Sequence, residues 1–213
     1  MLLSLFSCGQ KKSDKAFKVF NEGVALNIHA IEEQNKGNYE KAAALNRQSI
    51  DKFKETLQLD STHPLVRSAL GHSLYVDKQF APAIGWFEKA NKINGDAAVN
   101  YRELGLCKIN LGAMQEGKTD IDKAFLMDTS SEIREITIQD LTYVGKLAFE
   151  YGEGSIKDGD AKKGETYKTF SLGVLMLAFE YDSSKKDIAA TIADLAGKMG
   201  NKETAGKYKK LSE

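Results

Sequence analysis

The chain has 213 residues, of which 42% are hydrophobic, and its 30 basic and 30 acidic residues give a formal net charge of zero. That balance, with no aromatics interleaved in a basic run, lacks the electrostatic footprint of a nucleic-acid binder. Only 2 prolines interrupt the chain, so long helices are allowed, and the length suffices for one elongated domain with a continuous helical core.

The first element is short and apolar. Met1 to Ser7 lead into Leu5-Phe6-Ser7-Cys8-Gly9, and the polar run Gln10-Lys11-Lys12-Ser13-Asp14-Lys15 follows at once. This stretch resembles the lipobox of bacterial lipoproteins. The resemblance implies that Cys8 is acylated after the preceding peptide is removed, so that residues 1–13 are a signal remnant and tether. The membrane would then be a partner through the lipid on Cys8, with the chain in the cell envelope, facing the periplasm and most simply on the outer membrane. The segment before Cys8 is shorter than a charged start plus an apolar region of ~7–15 residues. Two readings therefore stand: the leader begins upstream of Met1, or the match is incidental and the protein is cytoplasmic. No later apolar run reaches the ~20 residues needed to span a bilayer.

Helical periodicity begins at Asp14. Phe17, Val19, Phe20, Val24, Leu26, Ile28 and Ile31 mark an apolar face. Lys36-Gly37-Asn38-Tyr39 makes a turn, and a second helix runs to Asp60 with seven more residues between Ala42 and Phe53 than later units carry. Seven residues are two turns, which rotate the following side chains by only ~20° and keep Phe53 on the buried face. Pairs are expected at about 14–60, 64–94 and 97–128.

The second and third pairs repeat at a spacing of 34 residues. Leu70-Gly71 recurs as Leu104-Gly105, Phe80 as Met114, Ala83 as Gly117, Phe87 as Ile121 and Ala90 as Ala124. Small residues at those places let two antiparallel helices approach, with Phe87 and Ile121 filling the space beside them. Pro82 falls in the first turn of its helix, where its missing N–H costs little. The period and the Leu-Gly, Ala, Phe, Ala series resemble the tetratricopeptide repeat family. The fold this implies is all-α, a right-handed α-solenoid of about five antiparallel helix pairs with no sheet.

After Asp128 the spacing is lost. A helix from about Ile133 to Tyr151, a long Gly-rich connection from Gly152 to Asp160 and a helix from Ala161 to Tyr181 make a fourth pair, 131–182. Lys185 to Met199 and Lys202 to Leu211 make a last one, 185–212, with a Lys-rich polar cap. The whole of 14–213 reads as one repeat domain.

No constellation carries catalysis. His29, His63 and His72 are scattered, with no metal-ligand spacing and no metal site expected. Gly154-Ser155 lacks the second glycine of a nucleophile elbow, and Gly152 to Gly159 is neither a Walker loop nor a dinucleotide loop. Cys107, in a first helix, reads as a small buried hydrophobe. The chain reads as non-enzymatic, with no cofactor.

Binding is what the family resemblance implies. In such arrays the first helix of each pair lines a concave groove. Residues two and five places either side of the Leu-Gly landmark select Ser68, His72, Tyr75 and Val76, then Arg102, Leu106, Ile109 and Asn110. Asn27, Ile31 and Gln34 are the counterparts in the first pair, and Thr142, Lys146 and Phe149 in the fourth. Tyr75, Ile109 and Phe149 suit apolar side chains of a peptide, Arg102 and Asn110 its backbone or a carboxylate, and packing against the second helices is the alternative for each. The clamp that some relatives use for a C-terminal carboxylate is not matched, because Ser68, His72 and Glu103 stand at its positions. Two functions remain open: a scaffold for a protein or peptide partner in the envelope, or an adaptor or sensor for a small ligand. A long open groove favours the first and a closed pocket the second.

Overall fold

The computed structural model describes the backbone of residues 3–213 and the side chains of residues 13–213. Among the described residues there are ten α-helices and no strand: α1 Leu3–Asn35, α2 Tyr39–Leu59, α3 Val66–Val76, α4 Phe80–Asn94, α5 Ala98–Asn110, α6 Met114–Met127, α7 Ser131–Lys157, α8 Ala161–Tyr181, α9 Lys186–Lys198 and α10 Lys202–Ser212. They pair as five antiparallel hairpins in chain order. None is long and apolar enough to cross a membrane. Cys8 lies outside the residues whose side chains are described.

Short turns set the hairpins. Gly37 closes α1 and Gly159 closes α7 with φ of 81° and 91°, left-handed values that a side chain would strain. Second helices end on a recurrent device: Asp60 Oδ1 accepts from Thr62 N and Oγ1 at 2.8 and 2.6 Å, and Asp182 Oδ1 accepts from Ser184 N and Oγ at 3.0 and 2.6 Å. Asp128 Oδ1 accepts from Ser130 N at 2.9 Å. These are Asx turns, and their hydrogen bonds hold all three carboxyls below the usual range.

The backbone contacts divide into two compact units. The first holds residues 1–111 with Thr119–Ala124, the second Gly112–Lys118 with residues 125–213. In the first, Phe20, Ile50, Phe53, Leu70, Leu74, Ala83 and Phe87 form one buried cluster. Within the second helices of the 34-residue repeat Ala83, Phe87, Ala90, Ile121 and Ala124 are all buried, whereas Phe80 and Met114 at the helix starts are half-buried. Cys107 is buried with them, and burial pushes its thiol up to about 12, which makes it an inert hydrophobe. In the second unit, Leu141, Val174, Leu175, Ala178 and Ile192 fill the core, and Phe179 meets Tyr208 edge-on at 5.5 Å.

Two hairpins share one lengthened plan. A Cβ on Gly71 would stand 2.7 Å from the Phe87 ring, and one on Gly23 would stand 2.7 Å from the Phe53 ring. In the fourth pair a Cβ on Gly145 would stand 2.6 Å from Leu175. Gly71 and Phe87 are sixteen residues apart, whereas Gly23 and Phe53, like Gly145 and Leu175, are thirty apart. The surplus is two helical turns on each side of the connecting turn, so the large residue returns to its glycine in phase.

The structure corrects the expected long connection from Gly152 to Asp160. Gly152 to Lys157 belong to α7, and only Asp158 to Asp160 turn. The reason is packing: a Cβ on Gly164 would run into Ile156 Cγ1 and lie 2.7 Å from the Gly152 carbonyl, and one on Gly152 would lie 2.8 Å from the Gly164 carbonyl. These glycines serve a close helix crossing, which repays the helix-propensity cost that made the run read as a loop. Asp160 then caps α8, accepting from Lys163 N at 3.0 Å. The first helix also differs from expectation, since α1 is helical from Leu3 instead of Asp14.

A groove between the inner helices of the first unit

In the first unit α1, α3 and α5 stand side by side as the first helices of their pairs. Their facing sides enclose a cavity of about 290 Å³. Val24, Asn27, Ile28 and Ile31 line it from α1, Ser68, Ala69 and His72 from α3, and Val99, Asn100 and Glu103 from α5, with Phe53 and Phe87 below. Ile28, Ile31 and Val99 are 51%, 55% and 58% exposed, so the walls are apolar and the mouth is open to solvent.

Polar groups on the floor are held from behind. Ser73, fully buried, joins three helices: it accepts from Asn27 Nδ2 at 3.0 Å, its carbonyl accepts from Asn46 Nδ2 at 2.8 Å, and its hydroxyl accepts from Ser49 Oγ at 3.2 Å. Asn100 donates to Asn91 Oδ1 at 2.7 Å. Glu103 is buried, and its Oε1 stands 2.8 Å from His72 Nδ1 and 3.8 Å from Arg102 Nη1. Its second oxygen, Oε2, is buried without a hydrogen-bond partner.

The residues expected to face the groove separate into three sets. Ser68, His72, Asn27 and Ile31 line the cavity. Leu106 and Ile109 are fully buried and Arg102 nearly so, leaving them no open surface. Asn110 turns back to the Leu106 carbonyl at 2.8 Å, Tyr75 packs on Phe80 with ring centroids 6.1 Å apart, and Val76 is exposed outside the cavity. Gln34 is exposed at the far end of α1, Lys146 is exposed on α7, and Thr142 donates to the Ile138 carbonyl at 2.7 Å. Phe149 is buried beside Lys168, whose Nζ lies 5.4 Å from its ring centroid.

Sequence reasoning missed Ile28, Val99 and Asn100 as lining, and weighed Glu103 only as an obstacle to a carboxylate clamp. Measured from Gly23, Gly71 and Gly105, the lining residues shift toward the N-terminus on each successive helix: beyond the glycine on α1, around it on α3, before it on α5. The helices are staggered, so one fixed offset cannot mark one height in the groove. Three to four residues earlier on α5 was the signal, and Asn100 with Glu103 satisfies it.

Among the described residues no group of His, Cys, Asp or Glu is placed to hold a metal ion. No family model matches the sequence. A 61-residue stretch, 29% of this chain, is 36% identical to Sperm-associated antigen 1 of Rattus norvegicus and spans 7% of that protein. Among solved structures, the MamA RS-1 ArsTM double mutant matches 90% of this chain and 92% of its own, with a TM-score of 0.50 at 9% identity. YrrB, a TPR protein with an unusual peptide-binding site, matches 94% of this chain and 90% of its own at 17% identity, with a TM-score of 0.43. The repeat spacing, the five hairpins and the likeness to MamA together give the chain the fold of a tetratricopeptide repeat array.

Proposed function

We propose that the chain is a non-catalytic interaction scaffold that holds an extended peptide or a protein segment in the groove of α1, α3 and α5. The observation that carries this reading is the groove's make-up. Ile28, Ile31 and Val99 stay exposed in an open trough above a floor of fixed amides and one carboxylate. Apolar side chains left in water beside fixed polar groups suit an extended chain, which presents apolar side chains and unpaired backbone groups in alternation. A small-molecule site would close over its ligand.

The same proposal places the array in a bacterial cell envelope, anchored by lipid on Cys8, as Leu5-Phe6-Ser7-Cys8-Gly9 suggests. Anchoring leaves the helical array free to meet a partner while fixing it to a surface. The test is intact mass and membrane partitioning of the protein expressed from its own locus with upstream sequence, beside Cys8→Ala. A lipid-sized mass at Cys8, and release from membranes in the variant, is the expected result. An unmodified, soluble chain that keeps Met1 would remove the envelope reading and leave the groove reading standing in the cytoplasm.

A further inference from the structure

Resting on the reading of the groove as a peptide site, we propose that its occupant carries a cationic side chain, an alkylammonium or a guanidinium, with Glu103 as its counter-ion. Glu103 lines the cavity from α5 with a side chain only 6% exposed. One of its oxygens is engaged, by His72 Nδ1 at 2.8 Å and by Arg102 Nη1 at 3.8 Å, while Oε2 has no hydrogen-bond partner. A carboxylate oxygen accepts hydrogen bonds and donates none, and one enclosed without a donor is costly. The other buried atoms of the first unit that lack a hydrogen-bond partner, on His63 and Arg67, do not line this cavity, and Asp120 Oδ2 is paired with Lys108 Nζ at 2.6 Å.

The walls suit the stem of such a side chain. Lys and Arg carry three or four methylenes below the charge, and Ile28, Ile31 and Val99 offer apolar surface between the mouth and Glu103. At about 290 Å³ the cavity lies at the lower end of ligand-pocket sizes, which suits one or two side chains. Glu103 itself lines the cavity, so a donor entering there would approach the residue whose Oε2 lacks one. An anionic guest would meet a buried carboxylate instead, and the same floor selects against it.

The test uses the full chain and an array of acetylated, amidated ten-residue peptides of unbiased composition, with affinities measured by calorimetry. Binders enriched in Lys or Arg should weaken about tenfold or more when that residue is exchanged for norleucine or citrulline, and similarly on Glu103→Gln. The peptide exchange is made on the unaltered chain, so it decides the matter even where Glu103→Gln perturbs folding. Binders lost on Ile31→Asp but indifferent to both the peptide exchange and Glu103→Gln would overturn the cationic occupant while leaving the groove as a peptide site. Binders indifferent to Ile31→Asp as well, or no binders at all, would overturn both.

Discussion

His63 is a loop residue by sequence, next to Pro64, yet it is buried between Phe20 and Phe17 with ring centroids 4.4 and 5.0 Å away. Neither ring nitrogen has a hydrogen-bond partner. Burial pushes the imidazole below its usual 6.5, against a weaker opposite pull from the Asp60 carboxylate. The unfolded chain therefore takes up the proton first as pH falls under 6.5, and stability declines from there to the folded value. Glu33 works in a different window. Hydrogen bonds from Asn38 and Lys36 hold it at about 2, against 4.5 when free, so its contribution is present above 4.5 and is lost as pH falls toward 2. Thermal midpoints measured from pH 8 to 2 should thus show two acid limbs. His63→Leu should abolish the upper limb and keep the lower, and an unchanged upper limb would assign it to another group.

At the scale of helices, glycine decides how closely pairs approach, and the sequence alone does not say which glycine matters. Gly152 and Gly154 sit two residues apart in one run that composition marks as a loop. In α7 they face opposite ways: Gly152 meets α8, whereas a Cβ on Gly154 would meet nothing within 4 Å. Gly154→Ala should therefore stabilise the chain by roughly 0.5–1 kcal/mol through helix propensity. Gly152→Ala should destabilise it by roughly 1–3 kcal/mol by forcing the helices apart. Urea denaturation of the two variants checks both signs, and two neutral substitutions would mean that the run is a loop after all. The helices themselves were legible because packing repeats: Leu70 and Phe87 recur as Leu104 and Ile121 at one spacing. The lengthened first helix of the α1/α2 hairpin was not, because Gly23 lies outside any Leu-Gly pair and is recognised only by the Phe53 ring against it.

For the molecule as a whole, zero net charge and many ion pairs do not mean electrostatic stability. Arg47–Asp77, Lys52–Glu22, Lys185–Glu135 and Lys198–Asp194 each have at least one well-exposed partner, and such pairs are worth little. Raising salt from about 0.05 to about 0.5 M should move the thermal midpoint by less than about 4 °C, the equivalent of roughly 1 kcal/mol at this size. A larger fall, followed by circular dichroism, would assign the ion pairs a greater share of the stability. The apolar clusters beneath them, around Phe53 and Leu70 in the first unit and Leu141 and Leu175 in the second, are what salt leaves untouched.

The sequence by itself determined the all-α class and the packing residues of the 34-residue repeat, because helical periodicity and small-residue spacing are local properties of a helix. Ser68 and His72, close to their own landmark, line the cavity as the fixed offset places them. Only the tertiary structure decided which faces of α1, α3 and α5 meet. Stagger between helices depends on how each pair packs on the next, so it moved the α5 contribution from Leu106 and Ile109 to Asn100 and Glu103 and left one carboxylate oxygen beside the cavity without a donor.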